Sequence, residues 1–147
     1  MNNYTEKEIK KLQDNLLLIR KIGGWSAEEF GEMIGVSKQT ISNLENKKTA
    51  MTKTQYIAIR AVLDYEIAEH PENKALSSAV NLTLNSDNLT DENKKSALAF
   101  IDGATKVELD NKTLLVGLGA ILGSALVPLA TPVVTATWLT KIMKNKK

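Results

Sequence analysis

No cysteine occurs anywhere in the chain, and that absence removes disulfides, thiolate nucleophiles and cysteine-bound metals together. It is compatible with a reducing compartment. Histidine is nearly as scarce: His70 stands alone, so no site built on two imidazoles can be assembled. No glycine-rich loop follows a strand pattern in the way a phosphate cradle requires. A catalytic apparatus is therefore not expected, and neither is a cofactor or a bound metal. Net charge is small as well: +2 over 147 residues is too little to argue for a polyanionic partner from the total alone. The opening MNNYTEKEIKKLQDN has no apolar run behind its charges, which predicts no secretory signal. The length suits one compact domain, or a small domain with an appendage.

What is present is concentrated in residues 26–46, SAEEFGEMIGVSKQTISNLEN. Ser26 with Glu29 three residues later is the capping-box pattern of a helix start. Phe30, Met33 and Ile34 then share one helical face, and Gly35 stands where a helix should stop in a left-handed residue. Ser37 caps a second helix whose Ile41 and Leu44 point inward. Lys38, Gln39, Thr40, Asn43, Asn46, Lys47 and Lys48 are left to face outward. Amides, hydroxyls and lysines in that concentration suit base edges and phosphates. Gln39 can bond adenine bidentately, Lys38 can reach guanine, and Lys47, Lys48 and Lys53 can supply the salt-dependent part of affinity. Glu28, Glu29 and Glu32 must then be turned away from DNA.

Supporting helices flank this pair. Thr5 and Glu8 form another capping-box pattern, followed by Ile9, Leu12, Leu16 and Ile19 at helical spacing, and Gly23-Gly24 ends that helix. Trp25, just before the Ser26 cap, is placed to staple the entry of the next helix. Thr52 and Gln55 form a further box, opening a helix through Tyr56, Ile59 and Leu63, with Ile57 and Ala61 widening its apolar face. Pro71 ends it at about His70.

Residues 5–68 thus resemble the phage repressor and Cro type of helix-turn-helix domain, also called the xenobiotic-response-element family. The resemblance rests on Glu28-Glu29-Phe30-Gly31, Ile34-Gly35-Val36-Ser37 and Thr40-Ile41-Ser42-Asn43-Leu44-Glu45-Asn46. It implies that the second helix lies in the major groove of duplex DNA. It further implies that Lys38, Gln39 and Asn43 face base edges, that Thr40, Asn46, Lys47 and Lys48 contact phosphates, and that Glu45 holds the helix pair together. With Ser37 at the cap, these residues make up the expected DNA-binding set. Two positions depart from the pattern. Ala27 stands where the family often carries a glutamine that braces the recognition helix. Lys47 replaces the glycine that commonly follows Glu-Asn, so either its backbone is strained or the helix runs on.

Beyond residue 70 the signals thin. A helix is predicted from Glu72 to Leu84 with Leu76, Ala79 and Val80 on one face. Another is predicted from Thr90 to about Leu109, its Asp91 and Glu92 favourable at a helix N-terminus. Between them Asn85-Ser86-Asp87-Asn88 reads as a turn. Residues 113–140 then carry no charge. That run exceeds the roughly 20 residues needed to cross a hydrocarbon core, contains a Gly119/Gly123 spacing, and has Trp138 where an interfacial aromatic belongs. Pro128 and Pro132 offer the alternative of two short arms, either dipping into a membrane or buried in an oligomer.

The sequence therefore predicts an all-α chain: a small lambda-repressor-like bundle over 1–70, a helical linker or dimerisation segment over 71–112, and an apolar helical segment with a basic tail over 113–147. The expected function is a non-enzymatic, sequence-specific transcriptional regulator, a repressor binding double-stranded DNA as a homodimer or higher homo-oligomer. It is expected in the cytoplasm with the nucleoid, with membrane contact through 113–140 as one role for the apolar segment. The alternative is an antitoxin-like or membrane-bound adaptor whose helical domain binds a protein.

Overall fold

The structure, a computed structural model, describes residues 3–85, 89–104, 111–122 and 137–144. Within them the chain forms eight α-helices and no strand. Helix α1 (Asn3–Gly23) is the longest and carries two apolar stripes. Ile9, Leu12, Leu16 and Ile19 make the stripe that the spacing predicts, and all four are buried. Leu18 and Ile22 lie on a second stripe that serves a separate apolar cluster. Thr5 does not cap this helix: α1 already runs at Asn3, and Thr5 is buried within it. A capping box is a local pattern, and here the helix already includes Tyr4, which packs against the core.

Helices α2 (Ala27–Ile34), α3 (Lys38–Glu45) and α4 (Lys53–Glu69) follow as the sequence predicts. Ser26 and Thr52 both form reciprocal capping boxes, with Glu29 and Gln55. Their apolar faces meet α1 in one core of Leu12, Leu16, Phe30, Ile41, Leu44, Tyr56, Ile59 and Leu63. Trp25 stacks on Phe30 with ring centroids 5.4 Å apart, closing a hydrophobic staple across the Ser26 cap. Ala61 stays exposed rather than joining the core face, because the inward stripe of α4 is the Tyr56, Ile59, Leu63 and Ile67 row.

The next helix is more deeply placed than its partly apolar sequence suggests. Helix α5 (Lys74–Leu84) starts two residues later than the sequence predicts, because Asn73 is the cap: its side chain accepts the Leu76 N–H at 3.1 Å. Nine of its eleven residues are buried, which makes it a central helix rather than a surface one. Leu76, Val80 and Leu84 complete the core of α1 to α4. Ala75, Ala79 and Leu82 face the other way, into a second cluster with Leu18 and Ile22 of α1. That cluster is closed by α6 (Asp91–Ala104), through Ala97 and Ile101, and by α7 (Asn111–Leu122), through Leu118 and Leu122. Thr90 caps α6, accepting the Asn93 N–H at 3.1 Å. The expected continuation of α6 to Leu109 falls on 105–110, outside the described residues.

Only the two ends of the charge-free run are described, since 123–136, with Gly123, Pro128 and Pro132, lie outside the described residues. No described helix is long and apolar enough to cross a membrane. Trp138 does not sit at an exposed interface. Helix α8 (Thr137–Lys144) places it, with Ile142, in the core of the first four helices. Its ring meets Tyr56 edge-on at 5.8 Å, and the Arg60 guanidinium lies 5.1 Å from its centroid. Its indole Nε1–H donates to Asp64 Oδ2 at 2.5 Å. A buried arginine over an indole face is an attraction that gains strength as water is excluded.

Two outcomes test this seat. Trp138→Ala should lower unfolding free energy by about 3 kcal/mol in urea titrations, the cost of a large aromatic removed from a core. An unchanged midpoint would mean that α8 is not part of that core. Burial raises the Asp64 carboxyl above its ordinary value, against the lowering effect of the Trp138 hydrogen bond and Arg60. Its contribution to stability is therefore complete below about pH 4 and is lost as pH rises through the elevated folded value. Asp64→Asn should remove that decline.

Candidate nucleic-acid interface

Helix α3 is short, eight residues, and isolated helices of that length are not stable in water. Its placement is set by what holds it at each end. At its start, Ser37 Oγ accepts the Thr40 N–H at 3.1 Å and lies 3.0 Å from the Thr40 hydroxyl. The turn before it needs two glycines. Gly35 has φ +96°, the left-handed residue that lets α2 stop, and the Val36 N–H returns to the Gly31 carbonyl at 2.9 Å. A Cβ on Gly31 would lie 2.6 Å from the Val36 carbonyl oxygen, so only glycine lets the turn close so tightly.

At its far end, α3 is clamped to α1 by a forked ion pair. Arg20 Nε and Nη2 donate to the two carboxylate oxygens of Glu45 at 2.5 and 3.0 Å, and Arg20 Nη1 donates to the Trp25 carbonyl at 2.8 Å. Both side chains are largely buried, so breaking the pair strands a charge away from water. Ile41 and Leu44 pack beneath. Gln13 then staples the following loop: its Nε2 donates to the carbonyls of Leu44 and Thr49, and its Oε1 accepts the Met51 N–H. The structural role implied for Glu45 is thus carried by Arg20. Ala27, where a bracing glutamine is absent, packs against the core instead.

The outer face is where the sequence places it. Ser37, Lys38, Gln39, Asn46, Lys47 and Lys48 are exposed, and Thr40 and Asn43 are half-exposed. Gln39 Nε2 donates to Asn43 Oδ1 at 2.9 Å, one turn on, so the two amides hold one another along the outer face of the helix. Asn46 ends α3, its N–H returning to the Ser42 carbonyl at 2.9 Å. Glu28, Glu29 and Glu32 are exposed on α2, and Glu29 is engaged in its capping box. The backbone hydrogen bond from Ser26 holds the Glu29 carboxyl below its ordinary value.

Lys47 resolves the choice left by the sequence: the helix does not run on. The Lys47 N–H returns to the Leu44 carbonyl and the Lys48 N–H to the Asn43 carbonyl, which is the Schellman ending. Lys47 occupies its left-handed position at φ +59°, the sole non-glycine residue with positive φ among the described residues. Its ammonium lies 2.7 Å from Asp14 Oδ1 on α1. Desolvation raises the Asp14 carboxyl, but Lys47 and Lys10 outweigh it and hold the group below its ordinary value.

Sequence reading missed Gln13, Asp14 and Arg20, all on α1. Their partners in α3 and the loop that follows it lie 25 to 38 residues away, and no local pattern announces them. The one available signal is polarity on the flank of an amphipathic helix facing the next polar element.

Residues 16–70 match the family model described as a helix-turn-helix. No curated protein and no solved structure matches the chain. Arg20→Met should cost about 3 kcal/mol in denaturant titrations, because Glu45 is left buried without its partner. Lys47→Gly should instead gain about 1 kcal/mol by relieving left-handed strain. Asp14 contributes stability above about pH 4 that is lost as pH falls through its lowered folded value, so Asp14→Asn should flatten acid unfolding below pH 4. The matched segment, with the helix pair α2 and α3 at its centre, is similar to helix-turn-helix domains of the Cro and C1 type, whose family is one of DNA-binding regulators.

Proposed function

We propose that the chain is a sequence-specific transcriptional repressor that binds duplex DNA as a dimer, with α3 in the major groove. The observation that carries this reading is the exposed row of Lys38, Gln39 and Asn43 on a helix clamped at both ends. Side chains that read base edges must be delivered at fixed height and angle, and the Arg20–Glu45 pair ties the end of α3 to α1. Lys38, Gln39 and Asn43 read bases. Ser37, Thr40, Asn46, Lys47 and Lys48 fix the register on phosphates. One such domain covers a single half-site, and paired half-sites call for two copies. The protein then works in the cytoplasm, with the nucleoid.

The C-terminal helices serve the assembly by packing on the DNA-binding half. Leu118, Leu122 and Trp138 of the apolar run are buried in protein, as is Ile142 just beyond it, which favours this role over contact with a bilayer. Fractionating the full chain beside one ending at Asp110 separates the two. Only the membrane role requires the full chain in the membrane pellet and the short one in solution.

Gel shifts on the protein's own upstream region test the main reading. Gln39→Ala should cost about 1–3 kcal/mol on specific sites and leave random DNA nearly unaffected. Lys48→Ala should weaken all sequences alike and reduce the salt slope by about 1. Equal loss on specific and random duplexes for Gln39→Ala would refute the docking, and no binding at low salt would refute DNA recognition itself.

A further inference from the structure

We propose that Asp14 is an internal counter-ion for the DNA-contacting lysine Lys47, occupying its ammonium in the free protein and giving it up to a backbone phosphate on binding. The inference rests on the DNA-binding reading of α3 and adds to it a residue on another helix that sets sequence-independent affinity.

Lys47 occupies a position that favours glycine. At φ +59° it holds the left-handed end of α3, where a side chain adds strain. Strain kept at an exposed lysine beside a recognition helix points to a use for the charge. In the free protein that charge is turned back toward α1, 2.7 Å from Asp14 Oδ1, while the side chain remains more than half exposed. A short rotation about an exposed stem is enough to redirect it outward.

Asp14 cannot follow. It lies in the middle of α1, and its neighbour Gln13 binds the Leu44, Thr49 and Met51 backbone. Its backbone carbonyl accepts the Lys94 ammonium from α6, and its second carboxylate oxygen is 3.5 Å from Lys10. The carboxylate is therefore a fixed anion, and Lys47 is the movable partner. A phosphate must compete with it for the same ammonium, so part of the Lys47 contribution is withheld from every DNA sequence equally. That lowers adhesion to random DNA and leaves base reading by Gln39 and Asn43 untouched.

The test uses the full chain and four proteins: wild type, Asp14→Asn, Lys47→Gln and the double variant. Binding to a random-sequence duplex is followed by fluorescence anisotropy at low salt, with circular dichroism confirming that each is folded. Asp14→Asn should bind about 1.5- to fivefold tighter, the range set by the worth of an exposed ion pair. In the Lys47→Gln background the same change should give little gain, since there is no lysine to release. An equal gain in both backgrounds would overturn the proposal, because Asp14 would then act only as a general repulsive charge. No gain in either background, with wild type binding normally, would overturn it and leave the DNA-binding reading intact. No binding by wild type or Asp14→Asn would overturn both.

Discussion

The Arg20–Glu45 fork is the interaction on which the rest of the structure depends. It joins the end of α1 to the end of α3 by two parallel hydrogen bonds, while the third arm of the same guanidinium holds the Trp25 carbonyl. A planar donor meeting a planar carboxylate fixes orientation as well as distance, which a lysine would not do. With that geometry set, Trp25 is positioned over Phe30, α2 starts at its cap, and the turn through Gly35 delivers α3 with Ile41 and Leu44 downward. The outer row of α3 is then the consequence of an inner one. Gln13 performs the same service for the loop that follows, through three backbone contacts from one amide.

The recognition unit does not end where its family resemblance ends. Its apolar core includes Leu76, Val80 and Leu84 from α5 and Trp138 and Ile142 from α8. A small helical domain has little surplus stability, so these additions bear directly on whether α3 is held in place. Helix α5 has the central position and is buried nearly all round, its small Ala and Ser residues letting neighbours approach. It divides its faces between the core under α3 and the cluster shared with α6 and α7. The C-terminal helices therefore meet the half that carries α3 in two places, through α5 and through the Trp138 seat on α4.

Local chemistry made the helix-turn-helix legible. The boxes at Ser26 and Thr52, the stop at Gly35 and the inward Ile41 and Leu44 are all short-range patterns, and each corresponds to an observed cap, turn or buried contact. Thr5 shows the limit of that method: the same box pattern occurs there without serving as a cap, inside a helix that already includes Tyr4 packed on the core. Arg20, Gln13 and Asp14 were not legible, since an ion pair across 25 residues leaves no periodicity. Lys47 was legible as a departure but not as a partner of Asp14. The depth of α5 and the seat of Trp138 were missed for a related reason. Apolar residues at helical spacing say that a face is covered, and only the tertiary structure says by what.

The central claim is that a clamped α3 presents Lys38, Gln39 and Asn43 to base edges. Its most direct test is a titration of uniformly ¹⁵N-labelled protein with a duplex from its own upstream region, followed by backbone and side-chain amide shifts. The account predicts the largest shifts in the side-chain amides of Gln39 and Asn43 and in the backbone amides of 37–48, with 28–32 little changed and the Arg20 Nε–H signal retained. Shifts centred on α6 to α8, with the Gln39 and Asn43 amides unmoved, would contradict it.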